Sequence, residues 1–213
     1  PMYRPVVIGI LFLLFFSFAF SFVYADQNEE ALETLQKLSE ALYHQVKIKE
    51  YDKAKSMIED ISVILPSISY EGLTTVEGIE AISSVLIQTK RSLASLEPQY
   101  KTTLYYTMQL RLAIDALGHP KQPLWHRYYS AINQDLDEIK RSIKGGEKEW
   151  EQALQTFQYH YMLMKPALLV SKPAYSIEKI DSLITALVNQ TIEQNQEVLL
   201  IQLKETFHQL FYD

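Results

Sequence analysis

The chain is 213 residues long with 47% hydrophobic and 22% charged side chains, the balance of one globular domain with enough apolar area for a core. A formal net charge of −6 lacks the basic excess with which nucleic-acid binders displace counterions from phosphates, so nucleic acid is not expected as a partner. Cysteine is absent, which excludes structural disulfides, thiolate nucleophiles, zinc–thiolate sites and a cysteine-linked lipid anchor.

After Arg4, an uncharged run from Val6 to Val23 is broken only by Gly9, Ser17 and Ser21. It leads into Val23-Tyr24-Ala25 and then the polar Asp26-Gln27-Asn28-Glu29-Glu30. A short positive start, an apolar stretch and small residues at the positions a signal peptidase reads predict residues 1–25 to be a signal peptide or a membrane anchor. Residues 26–213 are then an extracytoplasmic domain of an exported protein, attached to the cell membrane through the N-terminal segment. Losing residues 1–25 removes Arg4 alone, leaving 19 basic against 26 acidic side chains, a net charge of −7.

From Glu29 onward apolar residues recur three and four apart, the period of a helix with one buried face. Ala31, Leu35, Leu38, Leu42 and Val46 make a first stripe, and Ala54, Ile58, Ile61 and Leu65 a second, closed by Pro66. The short turn at Lys49-Glu50-Tyr51-Asp52 predicts an antiparallel hairpin resembling a tetratricopeptide unit, although no 34-residue repeat follows it. Ser67 to Gly78 reads as an ordered loop, with Thr75 capping the next helix. That helix uses Ile79, Ile82, Leu86, Leu93 and Leu96 and stops at Pro98. Leu104, Met108, Leu112 and Leu117 carry another, ended by Gly118 and Pro120. Pro123 starts the next, with Trp125, Tyr129, Ile132, Leu136, Ile139 and Ile143 inward and Gly145-Gly146 at its end. Trp150, Leu154, Phe157, Tyr161 and Met164 stripe a helix up to Pro166; Ile177, Ile180, Ile184 and Leu187 stripe one beyond Pro173; a last apolar run covers Val198 to Phe211. No segment alternates over a strand's length between hairpin turns. The fold class is therefore all-α, about seven or eight helices in antiparallel hairpins, arranged as a bundle or a short helical-repeat-like array.

Catalytic and metal-binding patterns are sparse. A di-iron bundle needs two Glu-x-x-His pairs, and only Glu205 with His208 has that spacing. Glycan-cleaving hydrolases need two carboxylates across a cleft. Asp135 with Glu138, and Glu147 with Glu151, share helix faces but lie among Lys and Arg, so they read as solvated surface. A Gly-x-Ser-x-Gly elbow and a phosphate-binding glycine loop are both missing from the sequence. No catalytic residue, metal ligand or cofactor is therefore assigned, and the protein is expected not to be an enzyme.

Tyr105, Tyr106, Trp125, Tyr128, Tyr129, Tyr159 and Tyr161 fall on three consecutive helices, and adjacent pairs point to different faces. One member of each pair can be core and the other partly exposed. Core packing and a partner groove are both open readings; the interaction surface that follows from the second comprises Tyr106, Trp125, Tyr128 and Tyr159.

Two segments add a resemblance. Ile68-Ser69-Tyr70-Glu71-Gly72-Leu73-Thr74-Thr75, and Arg111-Leu112-Ala113-Ile114-Asp115-Ala116-Leu117 followed by Gln122-Pro123-Leu124-Trp125, resemble the YpjB-type sporulation proteins of endospore-forming bacteria. The resemblance implies an exported, membrane-associated protein made during sporulation, with no established reaction and no catalytic residues to carry over. It also implies a second hydrophobic span near the C-terminus, where this sequence reads Tyr212-Asp213. The expectation is a non-enzymatic protein acting in a sporulating bacterium through an unidentified protein partner. The alternative is an exported helical domain binding a small ligand or cell-wall fragment in an aromatic-lined groove.

Overall fold

The computed structural model describes residues 27–189 and 193–212; the leader and its cleavage site lie outside them. Among the described residues there are eight α-helices and no strand: α1 over 27–47, α2 Tyr51–Ile64, α3 Val76–Ala94, α4 Tyr100–Gly118, α5 Tyr129–Ser142, α6 Glu147–Ser171, α7 Ala174–Asn189 and α8 Glu193–Tyr212. Short 3-10 turns follow α2 and precede α5. The all-α fold expected from the periodicity is thus the one observed.

The α1–α2 hairpin closes with a Schellman motif: Glu50 N–H donates to Gln45 O (2.9 Å) and Lys49 N–H to Val46 O (3.0 Å), which satisfies carbonyls that the helix end would otherwise orphan. Lys49 occupies the left-handed position at φ 63, where glycine is usual. Its ammonium lies 5.1 Å from the Tyr100 ring centroid, a contact that ties this turn to the start of α4. Helix α3 begins as the sequence predicts, with Thr75 Oγ1 accepting from Gly78 N–H at 3.3 Å. Gly78 is needed for another reason: a Cβ there would lie 2.9 Å from Leu169 O and 3.0 Å from Val170 Cα. The first turn of α3 therefore meets the last turns of α6 backbone to backbone, and Thr74 Oγ1 donates to Val170 O across the same seam (2.7 Å).

The buried face of α3 is Gly78, Ile82, Val85, Thr89 and Leu93, displaced from the predicted stripe. Leu96 lies beyond the helix end and is fully exposed. Apolar spacing missed this face because two of its members, Gly78 and Thr89, are not hydrophobic. Thr89 is silenced as a polar group by donating to Val85 O (2.8 Å).

Helices α4 and α6 pack against each other and against α3, and α6 also packs against α5 and α7. Buried positions from Leu110 to Leu117 run right round the C-terminal half of α4, as a helix enclosed by its neighbours requires. Helix α6 does not stop at Pro166; it runs on to Ser171 with the proline inside. A proline at this position cannot donate to the carbonyl four residues earlier, that of Met162. Gln109, only 7% exposed on α4, supplies the missing donor, its Nε2 lying 2.7 Å from Met162 O. Replacing Gln109 by leucine is therefore expected to cost about 1–3 kcal/mol, the usual penalty for orphaning a buried acceptor. The cost should shrink when Pro166→Ala restores a backbone N–H. Urea denaturation of the two single variants and the double variant measures it, and equal losses in both backgrounds would contradict this account.

Helices α7 and α8 form the last hairpin, and α8 lies on α5. Ile177, Ile180, Ile184 and Leu187 of α7 and Leu200, Leu203, Phe207, Leu210 and Phe211 of α8 are buried. A small network fixes α7 to α6: Asp181 accepts from Tyr161 Oη at 2.7 Å and from Lys165 Nζ at 2.8 Å.

Candidate functional site

The segment Arg111 to Trp125 is mostly architecture. Asp115, 8% exposed, accepts from Leu124 N–H at 2.6 Å and meets His119 Nδ1 at 2.8 Å. One carboxylate thereby folds the α4–α5 connection back onto the helix it leaves. Trp125 is completely buried. Its Nε1–H donates to Ser171 at the end of α6 (3.0 Å), and its ring meets Phe211 of α8 edge-on with centroids 4.9 Å apart. Trp125 is therefore core, and it drops out of the surface expected from the sequence. Indole is too large to leave half-exposed where three elements converge on it, and its one polar atom already has a partner.

The other three aromatics, Tyr106, Tyr128 and Tyr159, are each at least partly exposed. Tyr159 of α6 is 50% exposed, with Met162 beside it at 45%. The Tyr105 ring lies 5.3 Å from that of Tyr159 and 5.7 Å from that of Tyr106. Arg111, one and a half turns further along α4, has its guanidinium 4.8 Å above the Tyr43 ring of α1 and pairs with Glu40. Tyr128 sits close enough to feel Tyr43, Arg111 and Tyr159 electrostatically. Two neighbouring groups result: Tyr105 with Tyr106 and Tyr159, and Arg111 with Tyr43 and Glu40, with Tyr128 between them. Tyr43 and Arg111 escaped the sequence reading because the first belongs to a distant helix. The second was noted only as part of a motif.

Partial burial holds the phenol protons in place. Tyr105 is pushed up to about 12 by desolvation and by its Tyr159 and Tyr106 neighbours. Burial also raises Tyr70 and Tyr128, and raises Tyr161, where the Asp181 carboxylate adds to the effect. A phenol held neutral in the fold but free to ionise when unfolded stabilises the fold below pH about 10, and that stabilisation is lost as pH rises toward the folded value. Denaturation midpoints should fall between pH 10 and 12. A midpoint constant over that window would contradict the clustering.

Asp135 departs from the sequence reading. It is 9% exposed, and its Oδ2 lies 2.6 Å from His160 Nδ1 across the α5–α6 interface. A helix surface rich in Lys and Arg hid it, because the inward turn of α5 is set by Ile132, Leu136 and Ile139. Glu138 stays outside and pairs with Arg141. Asp135, Glu138, Glu149 and Thr156 border a cavity of about 250 Å³. His208 Nδ1 is 2.9 Å from Tyr129 Oη. Among the described residues no three His, Asp or Glu side chains converge as metal ligands, and no helix is long and apolar enough to cross a membrane.

The family model for sporulation protein YpjB matches residues 32–213, which takes in α2 to α8 and most of α1. This chain belongs to the YpjB sporulation protein family. The Uncharacterized protein YpjB of Bacillus subtilis (strain 168) is 23% identical to it over 171 residues, covering 78% of this chain and 65% of that protein. The chain thus spans just under two thirds of the length of that YpjB relative. No solved structure matches. Both segments that carry the resemblance in sequence fall within the matched region, one as the loop before α3 and the other as the second half of α4 with the turn before α5.

Proposed function

We propose that this protein acts in sporulation as a non-enzymatic, exported, membrane-associated interaction protein, and that a protein partner docks on the tyrosine face around Arg111. The observation that carries the reading is Tyr159, half in solvent while its ring rests on Tyr105. Phenols combine apolar area with a polar tip at small conformational cost, which is why they concentrate in binding surfaces. Family membership supports the sporulation setting. The apolar N-terminal run supports export and attachment.

The competing reading, a groove for a wall fragment, is not favoured by the cavity between α5 and α6. The cavity between α5 and α6 carries Asp135, Glu138 and Glu149 in place of aromatic walls, and those carboxylates repel the acidic groups such fragments bear. The proposal is tested by alanine replacement of Tyr106, Tyr128 and Tyr159, scored by spore yield at unchanged protein level; full yield from all three would count against it. For export, N-terminal sequencing should begin at Asp26. Retention of residues 1–25 on a membrane-embedded protein points to an anchor, and a soluble cytoplasmic form contradicts both versions.

A further inference from the structure

Where α6 passes into α7 beside α8 lies a cavity of about 440 Å³. Lys172 and Lys179 border it, and no carboxylate among the described residues does, in a chain whose net charge is −6. Neither ammonium has a carboxylate within ion-pair distance among the described residues. Burial lowers the affinity of nearby His126 for its proton, and the Lys172 ammonium adds to the effect.

Two hydroxyls at the rim can donate, those of Ser171 and Ser176. Ser171 Oγ accepts the Trp125 indole N–H at 3.0 Å, so its own hydrogen points away from the indole. Thr206 differs, since its hydroxyl is spent on Gln202 O of its own helix (2.7 Å). Ser176 stands in the first turn of α7; its N–H is spent on Pro173 O (3.0 Å), so its hydroxyl is the group it brings to the rim. Tyr175 stands 72% exposed beside the lysines, a flat ring against which the body of a ligand can rest.

We infer that this cavity binds a phosphate-bearing ligand, with Lys172 and Lys179 neutralising the phosphate and Ser171 and Ser176 donating to its oxygens. Two ammonium groups and two hydroxyls without an intervening carboxylate match a phosphate mono- or diester in charge and in donor number. The volume leaves room for the group the phosphate is esterified to. The same chemistry occurs in a free phosphate ester and in an anionic lipid headgroup. The inference is independent of the tyrosine face, with which the cavity shares no lining residue.

The test uses the full chain and two probes at fixed ionic strength. One is inorganic phosphate, followed by 31P line broadening. The other is vesicles of phosphatidylglycerol in phosphatidylcholine compared with phosphatidylcholine alone; the N-terminal segment carries Arg4 and favours the anionic vesicles too, so the signal is the part of the difference that the lysine variants remove. Lys172→Gln with Lys179→Gln should weaken binding about tenfold or more, as expected for loss of charge-assisted contacts, whereas arginine at both positions should retain it. Lys179→Glu, at an exposed position, gives the same reading should the double variant fail to fold. Loss of phosphate binding in these variants identifies a soluble ester as the source, and loss of the vesicle difference identifies a lipid. Binding of neither probe, or binding that survives Lys179→Glu, overturns the inference.

Discussion

Trp125→Ala is expected to lower the unfolding free energy by about 3–5 kcal/mol, the usual cost of truncating a fully buried aromatic residue to alanine. The indole joins the turn before α5 to the ends of α6 and α8, so its removal opens a cavity where three elements meet and leaves Ser171 without its donor. Domains of this size have about 5–15 kcal/mol in all, so the variant should accumulate poorly and show a depressed melting temperature. Its failure in sporulation would then follow from loss of fold. A variant of native stability would mean that Trp125 is not at the centre of the packing.

Tyrosine-face variants should behave in the opposite way. Tyr159→Ala removes a ring that is 50% exposed and rests on Tyr105, so the stability cost should stay near that of an aromatic pair, about 0.5–1.5 kcal/mol. An interface aromatic at the centre of a contact commonly contributes about 2 kcal/mol or more, roughly a thirtyfold loss of affinity. Tyr106 and Tyr128 are only partly exposed, so alanine there costs more stability. For these two, phenylalanine is the informative replacement, since it keeps the packing and removes the hydroxyl. Among the acidic residues, Glu138 and Glu205 are suitable controls because both are exposed. Asp135 is not, because its buried contact with His160 makes its loss a stability change as well.

The helix pattern was legible because apolar side chains at period 3.6 mark a buried face whatever the partner. The stripes of α1, α2 and α7 match the buried residues closely, and Thr75 was recognisable as a cap from its chemistry alone. What was hidden depended on contacts distant in sequence. Pro166 reads as a stop, and only the approach of Gln109 from another helix lets α6 continue. Gly78 and Thr89 are buried for close approach and for self-satisfied polarity, neither of which hydropathy records. Trp125 and Tyr159 look equivalent in sequence, and their opposite fates are decided by whether α8 closes over them. The pairing of Tyr43 with Arg111 joins residues far apart in the chain, which periodicity cannot register.

The most direct measurement is spore yield in cells whose chromosomal copy carries Tyr159→Ala, with protein level and helical circular dichroism checked alongside and Glu138→Ala and Glu205→Ala as controls. A partner-docking role predicts normal level and fold, a marked fall in yield for Tyr159→Ala, recovery with Tyr159→Phe, and normal yield in both controls. Full yield from the Tyr159, Tyr106 and Tyr128 alanine variants together, or a folded, exported and wholly inactive protein after replacement of one Asp, Glu or His, would contradict it and favour an enzyme.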